Sequence, residues 1–352
     1  MDSRERILAA MAWEEPDRVP LTIYDWMIPR GTEERELRRL GLGIITRLPA
    51  HRLEHRQVHF SSVEYWEERG DQIAHLRRNT IHTPVGEVWQ VAQLDAAYGS
   101  SWILEHYIKA PADYAVMDYV YRDAICHDNL AAIHQAQEML GGDGLVIVRV
   151  AKGPIQEMLY QMMGMERFAI DLYERRDLVD GLYATMVERY DELYALAAET
   201  PAEILQSADN ITSDVVGVER FRRYCMPCYE RHMASIRDTG KRLAVHMDGR
   251  LRSLREPIAE AALDIVEAFT PTPVGDVSVA EARSWWPQKA LWLNFPSSTH
   301  VAPDDEIKAQ TRLLIEQAET KRGFAIGVTE DVPLAHVHRS LGAIASAIDA
   351  MG

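Results

Sequence analysis

Three cysteines, Cys126, Cys225 and Cys228, are scattered over 352 residues. They are too few and too unevenly placed for a disulfide framework, and they suit a reducing compartment. Long apolar runs are missing as well: no stretch approaches the roughly 20 residues a membrane span needs. The opening MDSRERILAAMAWEEPDRVP breaks its apolar positions with Glu and Arg, so no secretory signal is read there. Basic charge is scarce, with 38 Lys and Arg against 54 Asp and Glu and a net charge of −16. A nucleic-acid backbone or an anionic membrane surface would therefore be repelled. Solenoid-period repeats and low-complexity linkers are also lacking. Together these absences predict a cytoplasmic protein that engages neither nucleic acid nor membrane.

What the chain does have is the ordinary balance of a globular protein, 47% hydrophobic and 26% charged residues. From residue 144 onward, short apolar runs alternate with helical stretches, the order that forces parallel strands joined by crossover helices. The runs fall at 145–151, 203–211, 242–249, 264–270, 290–296 and 324–329, with 19–25 as a first strand. Between them, 165–199 and 304–320 repeat apolar residues at three- and four-residue intervals. This pattern predicts a single (β/α)8 TIM barrel over residues 1–352, with an N-terminal extension. Within it, 72–93 carries a Pro-Val-Gly-Glu turn between two β-rich arms. It is expected to be a β-hairpin insertion near the barrel mouth.

In a barrel, polar residues at the C-terminal strand ends face the common pocket, whereas polar groups elsewhere on strands would be buried without partners. That rule selects Tyr24, Asp25 and Trp26; Asp209 and Asn210; His246 and Asp248; Glu267 and Thr270; Asn294; and Thr329, Glu330 and Asp331. Asp214, Thr270 and Asp331 also suit helix N-caps, and that role is expected of them. His246 and Asp248, two apart in VHMDG, point to one side of a strand. Such a pair can bind a metal or work as acid and base, or simply close a turn. Asp25 is the third catalytic candidate; Tyr24, Trp26, Asn210 and Asn294 are the substrate-binding candidates.

CMPC, residues 225–228, has the spacing of a redox or zinc pair, but RFRRYCMPCYERHM reads as a helix, which favours two buried thiols. His232 would make a Cys, Cys, His set without a fourth ligand. Trp285, Trp286 and Trp292 suit core packing before a pocket wall, and the Met-rich GPIQEMLYQMMGM suits helix packing.

Nearly end to end, the chain resembles the uroporphyrinogen decarboxylase superfamily, and more closely its corrinoid-linked methyltransferase branch. RERILAAMAWEEPDRVP looks like the superfamily's first helix and strand entry, and TPVGEV with EHYIKAPADY resembles the methyltransferase-type hairpin and its exit. SADNITSDVVGVERFRRYCMPCYERHMASIRDTGKRLAVHMDGRLRSL is similar to its strand, helix and His-x-x-Gly turn, and IGVTEDVPLAHV to its last strand and proline-bearing loop. Where the porphyrinogen decarboxylases carry Arg-Gln-Ala-Gly-Arg-Tyr after the first strand, this chain has TIYDWMIPRG. The cations that would hold a substrate with many carboxylates are absent there, apart from Arg30.

The resemblance implies methyl transfer between a small methylated substrate and a corrinoid (cobalamin) protein, with zinc as a candidate cofactor in this corner of one-carbon metabolism. The chain has no Asp-x-His-x-x-Gly cobalamin signature, so the corrinoid is expected on a separate partner. One subgroup supplies its zinc from His-x-Cys and a later Cys; His246 matches, but Asp248 replaces the first Cys, and Val328 or Thr329 stands near the second. A subgroup that demethylates ethers uses Glu-x14-Glu-x20-His, which falls on Asn210, Cys225 and His246. The tentative metal set is therefore His246, Cys225, Asp248 and Glu330. A decarboxylase or lyase acting on a non-porphyrin substrate, or a catalytically degenerate barrel subunit, are the alternatives.

Overall fold

Eight parallel strands close on themselves: Leu21–Tyr24, Leu42–Pro49, Gly144–Ala151, Ile204–Ser207, Arg242–His246, Ile265–Phe269, Ala290–Asn294 and Phe324–Val328. They are numbered here as the first to eighth barrel strands, each hydrogen-bonded to its neighbours in sequence order, with the eighth returning to the first. The computed structural model describes residues 1–70, 72–97 and 100–352. The (β/α)8 expectation is met, and extra antiparallel sheets account for the insertions.

Two compact units emerge. The first comprises Met1–Ala50, Asn129–Ala151 and Tyr194–Gly352 and holds the whole barrel; the second comprises His51–Asp128 and Lys152–Leu193. Within the first, the sixth, seventh and eighth strands are buried at every position, as expected of parallel strands covered on both faces. Their core includes Val266, Phe269, Leu291, Leu293, Phe324 and Ile326. Helices start where side chains can satisfy their orphan amides. Asp2 and Glu5 form a capping box on Ser3–Met11, and Ser278 and Glu281 form another on Val279–Trp285.

In the second unit the hairpin expectation holds. Gln72–Thr83 and Gly86–Ala97 pair antiparallel, with Thr83 opposite Gly86, and His59–Arg69 and Ser100–Glu105 extend them to four strands. Ala74, Leu76 and Val91 pack with Tyr65, Trp89 and Leu104 on one face of this sheet.

Three readings are corrected. The second barrel strand, Leu42–Pro49, is not among the runs read from sequence. Thr46 and Arg47 break its apolar pattern and Pro49 ends it, so it lacks the signature that marks the later strands. The first strand is also shorter than 19–25, because Asp25–Met27 turns into a short 3-10 helix. Nor do the three presumed caps cap: Thr212 holds the N-cap position beside Asp214, Pro333 that of the last helix after Asp331, and Thr270 donates to the Ala268 carbonyl.

Candidate active site

The centre of the barrel is organised by one carboxylate. Glu267, 1% exposed on the sixth strand, meets groups from three other strands. The Tyr24 hydroxyl donates to its Oε1, the Gln206 amide donates to its Oε2 at 2.7 Å, and His246 Nδ1 lies 2.7 Å from the same Oε2. Its backbone explains its aim: the strand register shifts between Glu267 and Phe269, and Ala268 between them has φ 57°. Such a bulge re-directs side chains at the cost of local strain, a device that recurs beside active sites.

His246 ends the fifth strand behind the apolar run Leu243–Val245 and is itself 6% exposed. With Nδ1 committed to Glu267, Nε2 turns toward Asp248 Oδ2, 3.6 Å away. The Asn210 amide donates to that same Asp248 oxygen at 3.0 Å. Asn210 has φ 56°, a left-handed conformation that Asn tolerates better than most residues. Behind Asp248 the chain passes Thr212 so tightly that a Cβ on Gly249 would fall 2.2 Å from the Thr212 Cβ, which demands glycine there. Glu330, exposed after the eighth strand, completes the group: the candidate ligand atoms of His246, Asp248 and Glu330 all lie within 4.8 Å of one another.

The electrostatics follow from these distances. Burial alone would strip the proton from His246. The charge and hydrogen bond of Glu267, with the Asp248 carboxylate nearby, outweigh burial and push its pKa up to about 10. Burial likewise opposes charge on Glu267, yet the His246 charge and the bonds from His246 and Tyr24 hold its carboxyl below the ordinary range. Asp248 is lowered in the same way, against desolvation, by the hydrogen bond and charge of His246. Glu330 moves the other way: desolvation and then the Asp248 charge raise it. Burial and the Glu267 charge lift the Tyr24 phenol well above its usual value, so it remains a donor.

The other sequence candidates divide. Asp25 is held by the Thr46 hydroxyl at 2.8 Å, in the turn after the first strand. Trp26, 54% exposed, stacks on Tyr24 with ring centroids 4.6 Å apart. Asn294 spends its amide on structure: Nδ2 donates to Thr270 Oγ1 at 3.3 Å and Oδ1 accepts from the Thr329 amide at 3.0 Å. Cys225 is buried in the turn that opens helix Met226–Ile236 and is not a member of the His246, Asp248, Glu330 group. His232 stacks on Tyr194 at 3.6 Å rather than turning to a ligand. Asp209 is fully buried, accepting from Ser207 and Tyr229 at 2.7 and 2.5 Å. Of the tryptophans, Trp292 donates inside the barrel to Thr22 at 2.9 Å, and Trp286 bonds the Arg255 carbonyl.

Selection by strand ends passed over Gln206 and placed Glu267 among many. The usable signal was a polar residue inside an otherwise apolar run, ILQS and IVEAF, because a buried polar group must find a partner.

Residues 93–350 match the sequence profile of uroporphyrinogen decarboxylase (URO-D). The chain belongs to the uroporphyrinogen decarboxylase family. Among solved structures it is similar in fold to a methyltransferase from Methanosarcina mazei, at 14% identity and TM-score 0.61, covering 100% of this chain and 99% of that one. A GH5-4 broad specificity endoglucanase from an uncultured bacterium aligns at 9% identity and TM-score 0.41, over 92% of this chain and 86% of that one. No curated protein matches the chain. Among the described residues, no helix is long and apolar enough to cross a membrane.

Proposed function

We propose that the protein is a methyltransferase that moves a methyl group between a small methylated compound and a corrinoid carried by a separate protein. One observation carries the reading: at the C-terminal mouth of a barrel, His246 is locked through Nδ1 to Glu267 while Nε2 faces Asp248 and Glu330. Family membership and the whole-length likeness to a structure named as a methyltransferase support it. The TIYDWMIPRG segment, without an arginine clamp, speaks against porphyrinogen as substrate.

One imidazole nitrogen and two carboxylates within 4.8 Å of one another are a donor set that fits a divalent ion such as zinc. His246 and Asp248 would hold it with Glu330 as third donor, and the Glu267–His246 bond is the carboxylate support such histidines usually have. When bound, the ion would act as a Lewis acid on the heteroatom bearing the methyl group. With only one nitrogen and no thiolate, the set favours weaker zinc binding than a cysteine-bearing site.

The chain's own groups do the rest. Glu267 fixes the imidazole plane and its tautomer; Asn210 holds Asp248 in line with Nε2. With no ion held, His246 keeps its proton on Nε2 and can donate it to a leaving heteroatom, while Glu267 and Asp248 balance its charge. A decarboxylase acting on a non-porphyrin carboxylate is the second reading, favoured by the same imidazolium, which can protonate the carbanion left by loss of carbon dioxide.

The test combines purified protein, a cobalamin acceptor and O-, N- and S-methylated compounds, following the cobalt absorbance, carbon dioxide release and zinc content. Methyl transfer that falls about 100-fold or more in H246A is expected, the usual scale for a lost acid–base group. Carbon dioxide release without transfer would replace the first reading by the second. Equal zinc affinity in wild type and H246A would remove the metal from this site.

A further inference from the structure

Arg47, on the second barrel strand, lays its guanidinium against two aromatic rings and, among the described residues, touches no carboxylate. Its guanidinium carbon lies 4.0 Å from the Tyr24 ring centroid and 4.2 Å from that of Trp26. Those rings are stacked on each other, so the three groups form a compact triangle. The Tyr24 hydroxyl reaches Glu267, which puts this triangle beside the His246 network. Yet among the described residues no carboxylate forms an ion pair with Arg47, and its Nε is shielded from solvent with no hydrogen-bond partner.

Other arginines of the barrel unit meet a carboxylate directly, Arg38 with Glu34 and Arg252 with Glu281, whereas Arg47 stands beside the His246 network and meets none among the described residues. Stacking on aromatic faces holds the guanidinium plane while leaving its edge N–H groups free to donate. A shielded donor without a partner costs free energy until a ligand supplies an acceptor. The geometry that meets such a fork in its own plane is a carboxylate.

We propose that Arg47 is the anion anchor of the active site, so that the substrate is a small carboxylate whose other end, bearing the reacting atom, reaches His246. This deepens the methyltransferase reading and rests on it for the identity of that reacting end. Tyr24 and Trp26 then serve as the rigid shelf that aims the cation.

The test needs neither corrinoid nor turnover, so it stands or falls apart from methyl transfer. Binding of methoxyacetate and of its neutral analogue methoxyacetamide is measured by calorimetry on wild type, R47Q and R47K, with circular dichroism checking the fold. Methoxyacetate should bind wild type about tenfold or more tightly than the amide, the scale of one charge-assisted hydrogen bond pair. R47Q should erase that preference, and R47K should restore part of it because it keeps charge but not the planar fork. Equal binding of acid and amide to wild type, an unchanged preference in folded R47Q, or no binding of methoxyacetate at tens of millimolar would overturn the proposal.

Discussion

His246 at the barrel mouth and the pair His232 and His300 in the surrounding layers are all buried, at 6%, 2% and 1% exposure, but they end in opposite states. Burial, with Arg231's charge adding, drops His232 to about 3, and burial drops His300 to about 4. His246 is pushed up to about 10. His232 stacks on Tyr194 and His300 bonds the Ser340 hydroxyl, neither of which carries charge, whereas His246 meets two carboxylates. Burial by itself discharges a histidine; only a carboxylate at hydrogen-bond distance keeps one charged. At the mouth the carboxylates keep a buried histidine charged; His232 and His300, without one, are left neutral.

The harshest way to break that contrast is E267Q. Removing one member of a buried pair should cost about 3 kcal/mol in urea unfolding. It should also drop His246 toward the behaviour of His232, read by the imidazole nitrogen shifts. A variant as stable as wild type with His246 still protonated at neutral pH would show that Glu267 is not what holds the charge.

D248N is the milder test, since Glu267 remains. His246 should titrate lower than in wild type but stay above its ordinary value, and methyl transfer should fall about tenfold. An unmoved titration would dismiss Asp248 as a partner.

The pH profile of stability sharpens the comparison further. Below pH 6.5 the unfolded chain protonates His232 and His300 while the folded one resists down to about 3 and about 4 respectively, so stability should drop as pH falls through that window. The lowered Glu267 and Asp248 add to the same acid loss. The raised His246 acts oppositely: its contribution is complete below pH 6.5 and disappears as pH rises toward about 10. Maximal stability is expected near pH 6.5, with a decline on the order of 2 kcal/mol by pH 4. H232F should reduce the acid loss without touching the alkaline arm, and E267Q should flatten the alkaline arm and remove the Glu267 share of the acid loss; a profile flat from pH 4 to 10 would contradict both assignments. Smallest of all, E260A removes the exposed Arg222–Glu260 pair and should leave urea unfolding unchanged, because solvent screens such pairs.

Much of this was legible in the residues. The later strands read clearly because each is a short apolar run followed by an amphipathic helix, and His246 with Asp248 stood out because two strand-end side chains at i and i+2 share a face. Glu267 was visible as a strand end but not as the hub, since nothing local reveals that Tyr24, Gln206 and His246 converge on it from chain positions 243, 61 and 21 residues away. Asn294 shows the same limit: its strand-end position was legible, but not that Thr270 and Thr329 each take one of its hydrogen bonds.

Period and composition determined the later strands and the inserted hairpin, because burying both faces of a strand leaves a continuous apolar signature that neighbours in sequence suffice to produce; the second strand, Leu42–Pro49, lacks that signature and was placed only by its pairing with the first and third. Which polar side chains share a charge was decided only by closure of the barrel. Closure brings side-chain atoms from strands separated by long crossovers to 2.7 Å of one another, and Coulomb interaction and desolvation, which set the protonation of His246, depend on those distances and not on sequence order.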